Sequence, residues 1–247
     1  MSEPAPPHLS VQLRHRIGAL QIDVAFQLTQ PWTILFGPSG SGKTTILRAI
    51  AGLLRPGSAH ITTDQSFTLV DTKTGVFVPP HKRTTRLAPQ QPSLFPHMTV
   101  RENLNYGARS AEANLLSDFR IAHIADKRPA DLSGGEARRV TLARAIAPRG
   151  CGLLLLDEPF TGLDLNLRDD LIANLLAWQQ QHSTPILSVT HDIAEAFQLN
   201  AEVIKLCEGR IVAQGPATTI LAEERTRLLA QLTPPQETPA SPAPAPA

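Results

Sequence analysis

A glycine-rich stretch that ends in a lysine and two threonines carries the clearest chemical signal in this 247-residue sequence. It begins at Phe36, reads FGPSGSGKTTI and contains the pattern Gly37-x4-Gly42-Lys43-Thr44. Glycines let backbone N–H groups converge on phosphate oxygens, and a helix that starts there adds positive potential. A lysine can then reach the outer phosphates, and a threonine hydroxyl can bind Mg²⁺. The pattern therefore predicts a phosphate-binding loop, with a flexible glycine–serine turn as the alternative.

Two carboxylates at the end of an apolar run form the second candidate. The run reads LLLLDE over residues 153–158. Ligands of parallel α/β sheets bind at the carboxyl ends of the strands, where these two acids would lie. We therefore expect Asp157 to hold Mg²⁺ through water, and Glu158 to act as the general base on an attacking water or to orient that water. Capping of a following helix is the alternative interpretation of this pair.

A second helix start with the composition of an anion site reads LSGGE over residues 132–136. Its serine and glycines precede a segment rich in arginine and aliphatic residues, so a second N-terminus is available for an anion. One nucleotide does not need two such loops from one subunit. The presence of a second anion-binding helix start on the same chain therefore requires an explanation.

Strands and helices alternate around these motifs, which favours an α/β fold with a parallel sheet covered on both faces. Strands are predicted at 20–28, 32–36, 153–156 and 185–189, helices at 44–54, 167–181 and 193–199, and a hairpin at 203–206 and 210–213. An inserted helical subdomain is predicted at about 92–147. The folded domain is expected to span 9–232, with disordered, proline-rich segments at 1–8 and 233–247.

The overall composition narrows the class of function. Lysine plus arginine number 23 and aspartate plus glutamate 22, so no broad positive field favours nucleic acid, and no nucleic-acid partner is expected. Cys151 and Cys207 form no CxxC pattern and are expected to be reduced thiols. The first ten residues do not resemble a signal peptide, and no apolar run is long enough to span a bilayer, so a cytoplasmic location is expected.

The three motifs, with three shorter ones, resemble those of the ATP-binding cassette (ABC) family, the ATPase subunits of membrane transporters. GPSGSGKT is similar to the family's Walker A motif, LSGGE to its signature motif and LLLLDEP to its Walker B motif. TGLD over 161–164 resembles the D-loop. Gln90 stands where the family has its Q-loop glutamine, with Gln91 as the alternative register, and His191 where it has the switch histidine. The resemblance covers about residues 9–221.

The resemblance implies a P-loop NTPase fold, with a RecA-like parallel core, an antiparallel β subdomain and the inserted helical subdomain, and it implies ATP and Mg²⁺ as cofactors. The residues implied to contact ATP are Gly37, Pro38, Ser39, Gly40, Ser41, Gly42, Lys43, Thr44, Thr45, Ser133, Gly134, Gly135 and Asp164. The implied catalytic residues are Glu158, His191 and Gln90, and the implied metal ligands are Thr44, Gln90 and Asp157.

The same resemblance explains the second helix start. In this family two cassettes bind head to tail, so each ATP lies between the Walker A motif of one subunit and the signature motif of the other. It implies a homodimer docked on transmembrane permease subunits at the inner face of the cell membrane. A periplasmic or extracellular solute-binding protein would be an indirect partner.

The segment 79–107 resembles the importer branch, and molybdate-type importers come closest through RENLNYG and the LSGGE spelling. Two departures stand out. The C-terminal oxyanion-binding β-barrel usual in molybdate ATPases is expected to be absent, and no adenine-stacking aromatic is evident near Arg14, His15 and Arg16. Molybdate or another small solute is the expected cargo. The alternatives are a soluble, non-transport ABC ATPase acting on another macromolecule, and a protein that binds ATP without turnover.

Overall fold

A computed structural model describes residues 8–63, 67–106, 114–147 and 150–232. Within these ranges an eleven-stranded sheet forms the centre of the molecule. Its strands are β1 (Leu9–Ile17), β2 (Leu20–Leu28), β3 (Trp32–Phe36), β4 (Ser58–Thr63), β5 (Thr68–Asp71), β6 (Val76–Phe77), β7 (Thr85–Ala88), β8 (Leu153–Asp157), β9 (Ile186–Thr190), β10 (Glu202–Cys207) and β11 (Arg210–Pro216). Their order across the sheet is β6-β5-β4-β1-β2-β11-β10-β3-β9-β8-β7.

Helices cover this sheet. They are α1 (Lys43–Ala51), α2 (Val100–Asn105), α3 (Leu115–Asp118), α4 (Gly134–Ile146), α5 (Leu165–His182), α6 (Ile193–Gln198), α7 (Ala217–Ile220) and α8 (Ala222–Leu232), with one-turn 3₁₀ helices at Pro80–Lys82, Ala122–Ile124 and Pro129–Asp131. The helices α2, α3 and α4 fall inside the range 92–147 predicted to be helical. The predicted limits of that subdomain remain a prediction.

The sheet has a parallel part and an antiparallel part. Strands β10, β3, β9, β8 and β7 pair in parallel, whereas β1, β2, β4, β5 and β6 pair antiparallel. The predicted α/β class, with a parallel core and an antiparallel β subdomain, is confirmed. Strand β1 was not predicted, because His15 interrupts the apolar alternation of Leu13 and Ile17. It continues to Ile17 because β2 offers a hydrogen-bonding partner along its whole length, from Leu9 opposite Leu28 to Ile17 opposite Leu20.

Side chains of the parallel strands alternate between two hydrophobic clusters, one on each face. In β3, Leu35 joins the cluster that contains Ile46 and Ile50 of α1, while Ile34 joins the cluster that contains Leu171 of α5. Because both faces are covered, β3, β8 and β9 are buried at every position, and β8 reads as an apolar run up to Asp157. This burial fixes α1 on one face and α4 and α5 on the other.

Helix α1 is shorter at its carboxyl end than the predicted range 44–54. It ends at Ala51 because Gly52 adopts the left-handed conformation, with φ of 78°, and its N–H bonds to a helix carbonyl. Leu53, which the periodicity placed on the buried face, is therefore 59% exposed. The buried Arg83 guanidinium lies against Gly52 and donates to the Ile50 carbonyl at 2.6 Å, and burial lowers its pKa to about 10. The helix that begins at the glycine-rich loop is thus anchored at its far end.

The chain segments predicted to be disordered, 1–8 and 233–247, lie outside the described residues apart from His8. The backbone N–H of His8 donates to the Leu28 carbonyl at 2.8 Å.

Candidate functional site

The carboxyl ends of four neighbouring parallel strands form the candidate site. The glycine-rich loop follows β3, His191 follows β9, Glu158 follows β8 and Gln90 follows β7, and these strands are adjacent in the order β3-β9-β8-β7. Because parallel strands end at the same edge, residues distant in sequence meet there. A cavity of about 280 Å³ at this edge is lined by Ile17, Leu20, Ser39, Gly40, Gly42, Lys43, Thr44, Thr45, Gln90 and Glu158.

The glycine-rich loop is shaped by close backbone approach. A Cβ atom on Gly37 would lie 2.2 Å from the Leu206 carbonyl oxygen, so only glycine fits where the loop passes β10. Gly42 precedes α1 with φ of 100°, a conformation that favours glycine. No described side chain caps α1, so its first N–H groups face the cavity edge without a side-chain acceptor. An anion bound there would satisfy them.

Lys43 is folded back over this loop. Its ammonium group donates to the carbonyl oxygens of Gly37 and Pro38, each at 2.8 Å, and the residue is only 6% exposed. Burial lowers the pKa of Lys43, and the carboxylates of Glu158 and Asp157 partly oppose that shift. The ammonium group therefore lies within the loop. A phosphate oxygen bound there could replace one of the two carbonyl oxygens as its hydrogen-bond acceptor.

Thr44 and Asp157 join the loop to β8. The Thr44 hydroxyl donates to Oδ1 of Asp157 at 3.1 Å, and Asp157 is 5% exposed. Burial raises the pKa of Asp157, an effect that the Thr44 hydrogen bond reduces. A hydroxyl and a buried carboxylate next to a phosphate cradle are the oxygen donors that suit Mg²⁺.

The carboxylate of Glu158 is held by three side chains from three segments. Its Oε2 accepts from Gln90 Nε2 at 3.0 Å and from the Thr161 hydroxyl at 3.3 Å, and its Oε1 lies 3.3 Å from His191 Nδ1. The backbone of Glu158 has a φ of 49°, which turns the chain sharply at the end of β8. Gln90 lines the cavity, whereas the neighbouring Gln91 is not among its lining residues.

The signature segment forms the N-terminus of α4. The Ser133 hydroxyl accepts from the Glu136 N–H at 3.3 Å, and the Glu136 carboxylate accepts from the Ser133 N–H at 2.7 Å. This capping box lowers the pKa of Glu136 to about 2, chiefly through the backbone hydrogen bond from Ser133. Ser133, Gly134 and Gly135 are not among the residues that line the cavity of the same chain.

Asp164 has a local structural contact rather than a place in the cavity lining. It caps α5, with its Oδ1 accepting from the Leu167 N–H at 2.9 Å. Near the predicted base-binding segment, Arg14 pairs with Asp23, and Arg16 donates to the Gly18 carbonyl. The aliphatic side chains of Ile17 and Leu20 line the cavity instead. Alternation within β1 could have indicated Ile17, but only the β1–β2 hairpin places it beside the loop.

A larger concavity, of about 540 Å³, lies over the antiparallel strands and is lined by residues such as Arg14, His60 and Asp71. Four of its polar groups already form the pairs Arg14–Asp23 and His60–Asp71. The smaller cavity is lined by the glycine-rich loop, the start of α1 and Glu158 of the acidic pair. We therefore assign the candidate site to the smaller one.

Glu195, which the motifs did not indicate, is buried on α6, four residues after His191. It is 4% exposed, and burial raises its pKa to about 7. A hydrogen bond with Thr190 and the charges of Arg168 and His191 oppose the shift, while Asp192 adds to it. The Arg168 guanidinium itself donates to Asp192 at 2.9 Å, so it neutralises that carboxylate.

A change of Glu195 to glutamine is expected to reduce the pH dependence of stability. The native pKa of about 7 lies above the ordinary value of 4.5, so the native state holds this proton more tightly than the unfolded chain does. Its contribution is fully present below about pH 4.5 and is lost as the pH rises through about 7. Relative to Glu195→Gln, the free energy of unfolding of the wild type should fall by up to about 3 kcal/mol across that window.

Urea unfolding at several pH values from 5 to 8 measures this difference. Glu223→Gln, an exposed change on α8, is the matched control and should leave the pH dependence as it is. Parallel curves for wild type and Glu195→Gln would contradict the assigned titration.

No helix within the described ranges combines the length and the apolar character needed to span a bilayer. In the same part of the chain, no three His, Cys, Asp or Glu side chains converge to bind a metal ion by themselves. Cys151 and Cys207 carry free thiols, and burial raises the pKa of Cys151 to about 11.

Comparison with known proteins agrees with this geometry. The Molybdenum import ATP-binding protein ModC of Mesorhizobium japonicum is 38% identical over 230 residues, which cover 87% of this chain and 62% of that protein. The Molybdate/tungstate import ATP-binding protein WtpC of Archaeoglobus fulgidus is 37% identical over 217 residues, covering 84% and 86%. This chain thus spans less than two thirds of the length of the ModC relative.

Solved structures show the same architecture. An ATP binding subunit of an ABC transporter superposes with a TM-score of 0.73 and 25% identity, covering 91% of this chain and 98% of that one. The cbiO1 protein of Clostridium perfringens, part of the ABC transporter complex cbiONQ, superposes with a TM-score of 0.71 and 25% identity, covering 93% and 96%. The ABC transporter family profile matches residues 22–161, which hold the glycine-rich loop, the signature segment and the acidic pair. The chain belongs to the ABC transporter family.

Proposed function

We propose that this chain is the ATP-binding and ATP-hydrolysing subunit of an ABC importer for molybdate or a chemically similar oxyanion. One observation carries the proposal: the carboxylate of Glu158 is oriented by Gln90 and His191 at the rim of a cavity whose opposite side is the loop of Lys43 and Thr44. A base, a cation and a helix N-terminus that face one cavity are the groups that phosphoryl transfer to water requires.

The glycine-rich loop and the start of α1 would bind the phosphates. Backbone N–H groups between Ser39 and Thr45 would bind phosphate oxygens, and Lys43 would shift from the carbonyls of Gly37 and Pro38 to the outer phosphates. The Ser41 hydroxyl is buried and lacks a hydrogen-bond partner among the described residues, so the loop holds an unpaired polar group as well. These features favour a polyanionic ligand.

Glu158 would activate the attacking water. Its carboxylate would take a proton from the attacking water while Gln90 and His191 hold both of its oxygens in place. Positioning of this kind lowers the barrier because the base needs no reorientation in the transition state.

The residues Thr44, Asp157 and Gln90 fit Mg²⁺, because each offers an oxygen donor and Asp157 is a buried carboxylate beside the loop. When bound, Mg²⁺ would neutralise charge on the phosphates. The Thr44 hydroxyl and the Asp157 carboxylate are already 3.1 Å apart, so this chain holds the two donors together.

A head-to-tail homodimer would complete the site. Ser133 and Gly134 are exposed at the N-terminus of α4 and do not line the cavity of their own chain. A helix N-terminus with two glycines is suited to a phosphate, and a second copy of the chain would supply that phosphate. Asp164, at the start of α5, would lie at the same interface.

The names of the relatives support a proposal for the transport partners. Both relatives described above are named as import ATP-binding proteins, one for molybdenum and one for molybdate or tungstate. We therefore propose docking on transmembrane permease subunits at the inner face of the cell membrane, with a solute-binding protein as an indirect partner. Phe95 and the exposed Tyr106 pack together with Arg144, and this cluster would contribute to the surface that faces the permease.

Co-purification tests this proposal. The tagged full chain is co-expressed with a candidate molybdate permease and its solute-binding protein, and the complex is placed in vesicles. ATP hydrolysis is then measured with molybdate, tungstate, sulfate or thiamine and the solute-binding protein. Stimulation by molybdate or tungstate, absent with Glu158→Gln subunits, is the expected result. An active ATPase that retains no permease and responds to none of the solutes would favour the soluble, non-transport alternative.

A further inference from the structure

We infer that Arg138, on the signature helix α4, is a positioning residue that links the state of the signature segment to the orientation of Glu158. The inference rests on the proposed ATP hydrolysis. It concerns a residue that touches neither the cavity nor the carboxylate, and it assigns to that residue the coupling of one composite site to the other.

The Arg138 guanidinium bonds to the main chain at three places. Nη1 donates to the carbonyl oxygen of Glu158 at 3.1 Å and to that of Thr161 at 2.6 Å, and Nη2 donates to the carbonyl oxygen of Gln90 at 3.0 Å. Along the chain, Thr161 lies 23 residues from Arg138, and Gln90 lies 48 residues from it. A single planar group therefore ties together the segments that follow β7 and β8.

The same three residues meet again through their side chains. The Gln90 amide and the Thr161 hydroxyl both donate to Oε2 of Glu158. Each of the three is thus held twice, once by its carbonyl to Arg138 and once through the carboxylate network. Movement of the guanidinium would displace the carbonyls and, with them, the donors that orient the base.

Arg138 belongs to the first part of the helix that starts at the signature. Helix α4 begins at Gly134, directly after its cap Ser133, so Arg138 lies about one helical turn from the signature segment. In the proposed dimer the signature of one chain contacts the nucleotide of its partner. Occupancy of the partner's loop would therefore shift α4 and, through Arg138, set Glu158 in the first chain's own site. Two sites coupled through one rigid element show cooperative behaviour.

Arginine suits this role better than lysine. Its guanidinium presents donors in a fixed planar fork, whereas lysine offers one flexible point charge. A lysine at position 138 would keep the charge and reach one or two of the three carbonyls. It would not fix their relative positions, so we expect an intermediate effect.

The test compares Arg138→Ala, Arg138→Lys and the control Arg128→Ala, an exposed arginine shortly before the signature. Steady-state ATP hydrolysis of the full chain gives kcat, KM and the Hill coefficient. For Arg138→Ala we expect kcat to fall between about tenfold and about a hundredfold, with KM for ATP changed by less than about threefold. The Hill coefficient should fall towards one. The kcat and the Hill coefficient of Arg138→Lys should lie between those of Arg138→Ala and the wild type. Arg128→Ala should match the wild type in kcat, KM and Hill coefficient.

A second measurement separates positioning from folding and from dimer formation. Arg138→Ala is combined with Glu158→Gln, and ATP-dependent dimerisation is followed by size-exclusion chromatography. The dimer should persist, because Arg138 acts on the base and not on phosphate binding. Loss of that dimer, a kcat for Arg138→Ala within about twofold of wild type, or wild-type kcat for Arg138→Lys would each overturn the inference. A lowered kcat with an unchanged Hill coefficient would overturn the coupling. An inactive wild type would instead contradict the proposed function.

Discussion

Glutamine in place of Glu158 is expected to abolish ATP turnover and leave ATP binding intact. The amide keeps the size of the side chain but cannot accept a proton from water, and general-base catalysis contributes between about a hundredfold and about ten-thousandfold. Binding should be retained or tightened, since one negative charge near the phosphates is removed. Because hydrolysis would be needed to reopen the closed pair, the variant should accumulate as an ATP-bound dimer. Phosphate release gives the rate, and size-exclusion chromatography with ATP and Mg²⁺ gives the dimer.

The unusual backbone at position 158 calls for a matched control. Glu208 is also a glutamate with positive φ, 46° against 49°, but it lies exposed in the turn between β10 and β11. Glu208→Gln should hydrolyse ATP as the wild type does. If Glu158→Gln retained more than about a tenth of the wild-type rate, the general-base assignment would be wrong.

Mixing two inactive variants is expected to restore activity if the sites are shared between subunits. Lys43→Ala removes the phosphate-binding cation, and Ser133→Arg blocks the exposed start of α4. Either homodimer has two damaged sites. A mixed dimer has one site with both defects and one with an intact loop and an intact signature. Random pairing makes about half of the dimers mixed, so the mixture should reach about a quarter of the wild-type rate if the sites act independently. If Arg138 couples the sites as inferred above, the blocked signature of the Ser133→Arg chain lowers this rate by a further factor of about ten to about a hundred.

The control mixture pairs Lys43→Ala with the double variant Lys43→Ala, Ser133→Arg. No combination in that mixture contains an intact loop, so its rate should stay at the level of the single variants. Measurement of phosphate release from the two mixtures, at equal total protein, shows whether an intact loop and an intact signature on different chains form an active site. Equal rates in both mixtures, with no more ATP bound by the first mixture than by the control, would rule out the head-to-tail arrangement.

Much of the candidate site could be anticipated from the sequence, because phosphate chemistry imposes local requirements. The loop needs glycines at positions of close approach, and the 2.2 Å that a Gly37 Cβ would leave to Leu206 shows the reason. The lysine and threonine must then open the helix, as Lys43 and Thr44 do at the start of α1. Such requirements fall within a few residues of one another, so a short pattern carries them.

The network around Glu158 could not be derived in this way. Its partners lie 68, 3 and 33 residues away, at Gln90, Thr161 and His191. They meet because β8 pairs with β7 on one side and β9 on the other. Periodicity predicts that strands exist, but strand order is a long-range property. The choice between Gln90 and Gln91 likewise depends on where β7 ends beside β8.

The sequence by itself therefore determined the chemical groups of the candidate site, which are a candidate phosphate loop, an acidic pair and a second helix start, together with the parallel class of sheet. Each depends on residue type and spacing within one local segment. Only the tertiary structure decided which side chains hold the base, that Arg138 binds three carbonyls around it, and that Glu195 is buried with a raised pKa. These properties arise from the packing of segments far apart in the chain, which sets distance and solvent exposure together.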